Sequence, residues 1–475
     1  MDLRLNFISF VGIFGLCAIA WLGSEDRRVI PWKTIAWGIA IQFVIGAIVF
    51  VVGSQVVEGL NNILNAVLDA SEAGSRFLFG NIIVPDPKQV VGPGPAARWI
   101  ARTLGDAYVA VPGDRVSGNN LNLGYVLAFR ALPQVIFFSA LVALLYRLNI
   151  IQPIVRVFAW IFQRTMNISG AESLSGAANI FVGIESAIAV KPFLENMTRS
   201  EICAILTSCF GSIASSVLGL YAGILKPTFP SITGHLVSAS IMTIPACFVI
   251  AKLLVPETDE PETMGHVPEE IEDEAAERPN PVDSLILGAL DGVKMAVGIA
   301  AVLIAILGLV ALFNTVFTNL SSGILALLGG EAQGDSLIVE FFSNALNNIM
   351  GMLFLPLTFL TGVSLDWNEL WQASVLIGSR LFETSIPPYQ ALAQLNAAGE
   401  ISTRAMLIVS YALCGFAHLA SYGIFVGGVS SLIPDRRGEV ASLGFKALWG
   451  ATLATLMTGC IAGLFDFGQT AILGQ

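Results

Sequence analysis

The chain of 475 residues is poor in charge, in histidine and in paired cysteine. Only 12% of its residues are Asp, Glu, Lys or Arg, about half the share of an ordinary soluble domain, while 55% are hydrophobic. That balance excludes a soluble globular enzyme. Basic residues number 24 against 35 acidic ones, a net charge of −11, so no basic surface is available for nucleic acid. The six cysteines, Cys17, Cys203, Cys209, Cys247, Cys414 and Cys460, stand singly in apolar runs without the spacing of a zinc site or a disulfide scaffold, and read as small packing residues. His235, His266 and His418 are too scattered for a metal cluster. No small-residue cleavage site separates the apolar N-terminus from Ser24-Glu25-Asp26-Arg27-Arg28, so it is expected to be a retained first span.

What the chain has in abundance is long apolar runs. A bilayer core takes about 20 apolar residues per helix, and runs of that length occur at 5–22, 35–53, 126–147, 201–225, 231–255, 293–317, 403–428 and 443–465. Two further stretches, 171–195 and 371–395, are as long but carry Glu, Lys, Arg, Pro or Gly near their middles. Non-helical backbone survives at membrane depth only where protein or a wet cavity surrounds it, so these stretches are expected to be re-entrant hairpins. The 54–125 region opens on an amphipathic pattern (Val56, Leu60, Ile63, Leu64, Val67, Leu68) and reads as an interfacial helix followed by an exposed loop. The fold class is therefore an all-α polytopic membrane protein, with eight transmembrane helices plus two opposed re-entrant helical hairpins.

Arg27, Arg28 and Lys33, then Arg147, Arg156 and Arg164, then Arg436 and Arg437 fall on one side if each run crosses once, and that side is expected to be cytoplasmic. Between Glu257 and Asp283 stand eleven Asp or Glu against Arg278, so nearly all of the net charge is confined to one segment. Its charge and proline content predict a solvated tether between two halves. Both halves run through an amphipathic stretch (152–166; 336–363), an interrupted segment and a Gly/Ser-rich span, and the interrupted segments share Glu185-Ser186-Ala187-Ile188 and Glu383-Thr384-Ser385-Ile386. Counting spans sets the two hairpins on opposite sides, an inverted repeat. The expected division is 1–148 for N-terminal spans with the interfacial helix and outer loop, 149–255 for the first repeat and 256–283 for the acidic linker. A span at 284–335, the second repeat at 336–430 and a C-terminal span at 431–475 complete it.

Few polar residues lie deep in these runs. Glu185 and Glu383 are carboxylates well inside apolar segments, where a charge is costly unless hydrated, paired or functional; the alternative to a functional role is an ion pair with Lys191 or Arg380. Asn179, Ser212, Ser215 and Ser216 supply neutral oxygens of the kind that hard monovalent cations take, and equally of the kind that joins helices by hydrogen bonds. His418, between Gly415 and Gly423, is a solute donor or acceptor, a proton relay or an interhelical hydrogen-bond partner. Phe416 offers an apolar wall or ordinary packing.

Several longer motifs carry a resemblance. They are Ala70-Ser71-Glu72-Ala73-Gly74-Ser75, the run Phe129-Arg130-Ala131-Leu132-Pro133-Gln134, Gly170-Ala171-Glu172-Ser173-Leu174 leading to Asn179-Ile180-Phe181-Val182-Gly183, Met197-Thr198-Arg199-Ser200-Glu201, and Tyr411 through Ala417. In these motifs and their order the chain resembles the concentrative nucleoside transporter family, over most of its length beyond residue 55. The resemblance implies a homotrimer in a bacterial inner membrane, with a transport domain sliding against a scaffold and no resident cofactor. It implies sodium at Asn179, Val182 and Ser212, with proton coupling as the alternative. It implies a nucleoside or related small polar solute held by Glu185, Ser186, Glu383, Thr384, Ser385, Phe416, His418 and Ser421. Here the chain departs from the family: Gly183-Ile184-Glu185-Ser186-Ala187-Ile188 stands for Gly-Gln-Thr-Glu-Ala-Pro, Glu383 reaches the family glutamate only by a two-residue shift, and His418 stands for an asparagine. The same machinery carrying another polar metabolite is the nearest alternative; an intramembrane enzyme using Glu185, Glu383 and His418, or a passive channel, is remote.

Overall fold

The computed structural model describes residues 3–52, 54–80, 83–84, 126–183, 185–268, 280–327 and 344–468, and every regular element among them is helical. The expected outer loop after residue 84 and the 269–279 part of the acidic segment lie outside the described residues. Helix α1 (Leu3–Leu22) turns Phe7, Phe10 and Phe14 outward and Asn6, Ser9, Gly12 and Leu16 inward, the pattern of a span with lipid on one side and protein on the other. Next come α2 (Trp32–Ala47), which ends in a π turn (Ile48–Val52), the amphipathic α3 (Ser54–Phe79), and α4 (Leu127–Arg147). Glu72 of α3 pairs with Arg130 of α4 at 2.7 Å, joining the first two family-like motifs. Helix α5 (Ile151–Met166) buries Val155, Ala159 and Phe162, presents Ile154, Val157 and Trp160 outward, and stops at Asn167 in the left-handed conformation.

Each interrupted segment folds as helix, turn and helix. Helix α6 (Gly170–Ala178) descends to a tip and returns through two short helices, α7 (Glu185–Ile188) and α8 (Lys191–Leu194). In the second, α14 (Trp367–Glu383) returns as α15 (Ile386–Ala398), whose first turn carries Pro387 and Pro388. Local capping sets where each segment starts. Ser169 with Glu172 opens α6 by a reciprocal capping box, and Thr198 with Glu201 opens α9 (Arg199–Gly211) by another. Asp366 caps α14, and Ser402 caps α16 (Thr403–Ala412).

The runs 201–225 and 403–428, expected as continuous spans, are each two helices. α9 stops at Gly211 and α10 (Ser215–Leu225) restarts beyond a three-residue break; α16 stops at Ala412 and α17 (Leu419–Leu432) restarts after His418. Their residues are apolar enough to span, but the backbone unwinds where another element supplies hydrogen-bond partners. Among the described residues six helices are long and apolar enough to cross a membrane: α1, α2, α4, α11 (Ile232–Leu254), α12 (Pro281–Leu327) and α18 (Arg437–Leu464). Helix α13 (Ala345–Leu360) is apolar but shorter.

α11 and α18 are buried along most of their length and form the centre. α1 and α2 pack on them, whereas α4 packs on α12 and α10. Residues 1–148 thus serve two sides of the molecule, because inward small residues fit α1 to the core: an ideal Cβ on Gly12 would lie on the Leu360 carbonyl oxygen, and one on Gly463 2.7 Å from Ser9 Oγ.

The acidic segment is not a solvated tether along its first part. Glu257 accepts from Lys252 Nζ at 3.0 Å and from Thr198 Oγ1 at 2.9 Å, and Thr263 accepts from the Gly170 and Ala171 amides. Lys252 also pairs with the buried Glu172. A segment that reads as disordered by composition is thereby docked under the first hairpin, since the buried Glu172 needs the Lys252 cation that Glu257 also holds and the helix start needs acceptors.

At the same end, Glu25 in the α1–α2 loop receives Arg199 at 2.8 Å and Lys446 at 2.5 Å, and these cations hold its carboxyl down to about 2. A depressed carboxyl stabilises the fold above its ordinary titration range and loses that contribution as pH falls toward 2. Glu25→Gln is expected to lower stability at pH 7 by about 1 kcal/mol or less, since the cluster is partly exposed. The difference from wild type should be constant above pH 5 and vanish on acidification, as thermal unfolding in detergent will read; a difference that grows toward low pH would refute it.

Candidate functional site

The two hairpin tips meet the two helix breaks near the middle of the molecule. At the first meeting Ser212, which ends α9, donates its hydroxyl to the Asn179 carbonyl at 2.8 Å and lies 3.0 Å from Ser240 Oγ. The Ser215 amide, which starts α10, donates to the Phe181 carbonyl at 3.0 Å. The hairpin tip therefore satisfies backbone that the break would leave bare. Asn179 is 1% exposed, and its Nδ2 has no hydrogen-bond partner among the described residues. A buried amide left half unsatisfied is costly. The expected cation residues Asn179 and Ser212 are thus brought into direct contact, and Val182 follows on the same tip.

At the second meeting Ser385 donates to the Gly415 carbonyl at 3.0 Å, and Tyr389 donates to the Ser410 carbonyl at 2.8 Å. Thr384, which ends α14, is held at φ 73°, a region that a β-branched residue enters only under strain of about 1–3 kcal/mol. The two breaks also touch each other: an ideal Cβ on Gly415 would come 2.6 Å from the Gly211 carbonyl oxygen and 2.9 Å from Thr455 Cγ2. Only glycine allows that approach.

Beside this crossing lies a cavity of about 840 Å³, walled on one side by the tips and breaks and on the other by α4 and α12. Of the expected solute residues, Thr384, Phe416, His418 and Ser421 line it, as does the expected cation residue Val182. His418 caps α17 by accepting from the Ser421 amide at 3.2 Å, and Ser421 Oγ lies 2.8 Å from its Nδ1, so the pair presents one fixed polar surface. Phe416 stands edge-on to the His418 ring at 6.0 Å. Together they offer an apolar plate flanked by hydrogen-bonding groups, which suits a flat polar ring.

Other expected residues stand behind that wall. Ser186 is fully buried, 3.8 Å from Cys209 Sγ, and Ser385 is fully buried on Gly415. Glu383 is 8% exposed and faces Asn347. Glu185 starts α7, just beyond the first tip. Glu383 forms no ion pair with Lys191 or Arg380 among the described residues, and the Glu185 side chain lies outside them; Arg380 instead donates to the Ala412 carbonyl and to Thr455 Oγ1.

Sequence reasoning missed Tyr221, Asp291 and Lys294 of the cavity wall. Tyr221 stacks on Tyr389 with centroids 4.7 Å apart, which ties α10 to the second hairpin. Asp291 and Lys294 pair at 2.8 Å on α12. Their signal was present, Asp291 just before the apolar run at 293 and Lys294 at its second residue, in a helix that begins at Pro281, but run length alone gives such flanking charges no role.

Comparison with known proteins gives a consistent result. Residues 11–82 match the family description Na+ dependent nucleoside transporter N-terminus, 128–228 match Nucleoside recognition (Gate), and 235–463 match Na+ dependent nucleoside transporter C-terminus. An uncharacterized transporter of Haemophilus influenzae is 33% identical over 96% of this chain and 97% of its own. Sodium/nucleoside cotransporter 1 of Mus musculus is 30% identical over 97% of this chain, which spans 64% of the mouse protein. The solved structure of CNTnw in an inward-facing substrate-bound state superposes with a TM-score of 0.78 at 31% identity, covering 97% of this chain and 98% of that one. A substituted CNTnw in an outward-facing state gives 0.80 at 32%, covering 98% of each chain.

The contact between the two breaks makes a direct prediction. Gly415→Ala is expected to push the breaks apart, destabilise the protein by about 1–3 kcal/mol and abolish uptake. Gly427→Ala, where an added Cβ meets nothing within 4 Å, is the control and should be neutral. Equal melting temperatures and uptake for both variants would contradict the close approach.

Proposed function

The chain belongs to the Na+-dependent nucleoside transporter family, and from that premise we propose that it is a sodium-coupled symporter importing a nucleoside across a bacterial inner membrane. One observation carries the proposal: the pair Asn179–Ser212 and the cavity that Thr384, Phe416, His418 and Ser421 line are two faces of one crossing of hairpin tips and helix breaks. Sodium is cargo here and needs no resident cofactor. It would take neutral oxygens from Asn179, Ser212 and the Val182 backbone, and the buried unsatisfied Nδ2 of Asn179 fits a side chain whose other end is meant for a ligand. Ordering of the first tip by sodium favours the solute site beside it, and by linkage the solute favours sodium to the same degree. The solute ring would lie along Phe416, with His418, Ser421 and Thr384 reading its edge and its hydroxyls. Glu383, close behind the strained Thr384, and Glu185 and Ser186 of the first hairpin complete the polar surroundings.

Alternating access in this reading is an elevator movement. The α4–α12 pair is the fixed wall, and the hairpins, the broken helices and the central α11 and α18 carry the site past it. Eight crossings result when each broken helix is counted as one span, with the two hairpins entering from opposite sides, and three protomers assemble around the fixed pairs in the lipid bilayer. His418 for the family asparagine and the altered tips favour one narrower second reading, in which the same machinery takes a different polar metabolite.

Uptake of labelled uridine and adenosine into proteoliposomes, under a sodium or a proton gradient, tests both. Sodium-driven uptake of either is the expected result; no uptake of any nucleoside under either gradient would remove the nucleoside assignment. Asn179→Ala should raise the sodium concentration for half-maximal uptake by about tenfold, a loss of about 1.4 kcal/mol. Glu383→Gln should abolish solute binding while leaving the melting temperature within about 2 °C of wild type. An unchanged sodium response in the first variant would show that the cation lies elsewhere.

A further inference from the structure

The two hairpins cross the two broken helices in corresponding ways, yet the crossings differ in what fills them. In the first, Ser175 stands one helical turn before Asn179, and both Ser175 Oγ and Asn179 Nδ2 are buried without hydrogen-bond partners among the described residues. In the second, the residue one turn before the helix end at Thr384 is Arg380, which is 1% exposed. Its guanidinium donates at 2.5 Å to the carbonyl of Ala412, the last residue of α16, and at 3.1 Å to Thr455 Oγ1 of α18. Its Nε has no partner, and no carboxylate pairs with it among the described residues. A lone guanidinium at membrane depth is expensive. What offsets it here is the broken end of α16, whose last carbonyls carry the negative pole of the helix and have no intrahelical donors.

We propose that Arg380 is the resident cation of the second repeat. It does permanently at the crossing of α14 and α16 what the transported sodium does transiently at the crossing of α6 and α9, a parallel that rests on the sodium site proposed above. Two consequences follow from the chemistry. The acceptors that would hold a second cation, the Ala412 carbonyl and the Thr455 hydroxyl, are already occupied, so a protomer takes up one sodium. The second tip is clamped to its broken helix whether or not sodium is present, so only the first tip answers to the ion. Arg380 does not line the cavity, so it is a positioning residue: it sets Thr384 and Ser385 through α14.

The test uses the full-length protein and two readouts, melting temperature against sodium alone and uridine uptake. Wild type and Arg380→Lys should show sodium stabilisation with a Hill slope of about 1. Arg380→Met should keep the wild-type sodium midpoint while its KM for uridine rises about tenfold or more, and Arg380→Lys should stay within about threefold of wild type. A slope near 2 in the wild type would overturn the proposal. So would a wild-type KM in Arg380→Met, a folded Arg380→Met that has lost its sodium response, or a lysine variant no better than the methionine one. Should Arg380→Met fail to fold, the slope of the wild type and the slope and KM of Arg380→Lys still decide it. Failure of Asn179→Ala to weaken the sodium response would instead sink the sodium site, and absence of uridine uptake by the wild type would sink the nucleoside reading; the sodium titrations separate the three.

Discussion

Unwound backbone has no water to bond with inside a bilayer, and this single constraint organises the middle of the molecule. The breaks after Gly211 and Ala412 leave helix ends bare in two runs otherwise apolar enough to span. Each is answered by a hairpin. Asn179 and Phe181 present carbonyls to Ser212 and Ser215, while Ser385, Tyr389 and Arg380 donate to Gly415, Ser410 and Ala412. The site follows from this arrangement: polar groups concentrated to satisfy backbone are the groups a polar solute or an ion can use.

The ends of the molecule obey a different rule. There, charges gather in small networks that join elements distant in sequence. Arg404 donates to Asn6, Ser9, Gly362 and Gly463 and pairs with Asp466, tying α1, α16 and α18 together. Lys252 sits between Glu172 and Glu257, and Arg436 donates to the carbonyls of Leu194, Glu195 and Met197 below the first hairpin. These contacts fasten the base of the first hairpin, while at its tip the Asn179 and Phe181 carbonyls accept from Ser212 and Ser215. In the second repeat the tip itself is fastened through Arg380. The two repeats are thus alike in path and unlike in what holds them closed.

Of the residues that depart from the family pattern, His418 lies on the cavity wall, whereas Ser186 and Glu383 stand buried behind it. His418 still caps α17 and still meets Ser421, so its change from asparagine alters the surface offered to a solute while preserving the local fold.

The amino-acid sequence alone determined the class of molecule, an all-helical chain with several helices apolar enough to cross a membrane, because apolar run length is a local quantity. Asn179, Ser212 and His418 were legible as polar groups in apolar runs, and the structure brings Asn179 onto Ser212 and places His418 on the cavity wall with Thr384, Phe416 and Ser421. Tertiary structure decided the rest. Runs 201–225 and 403–428 read as unbroken because hydropathy counts side chains and says nothing of main-chain partners, which come from residues far away in sequence. Arg380 looked like a partner for a carboxylate, and its partner is the end of another helix. The acidic segment beyond Val255 looked like a tether because composition averages over it, yet Glu257 and Thr263 are placed by Lys252 and by the start of α6. Each of these outcomes turns on a hydrogen bond or charge supplied by a distant element, and such partners exist only once the chain has folded.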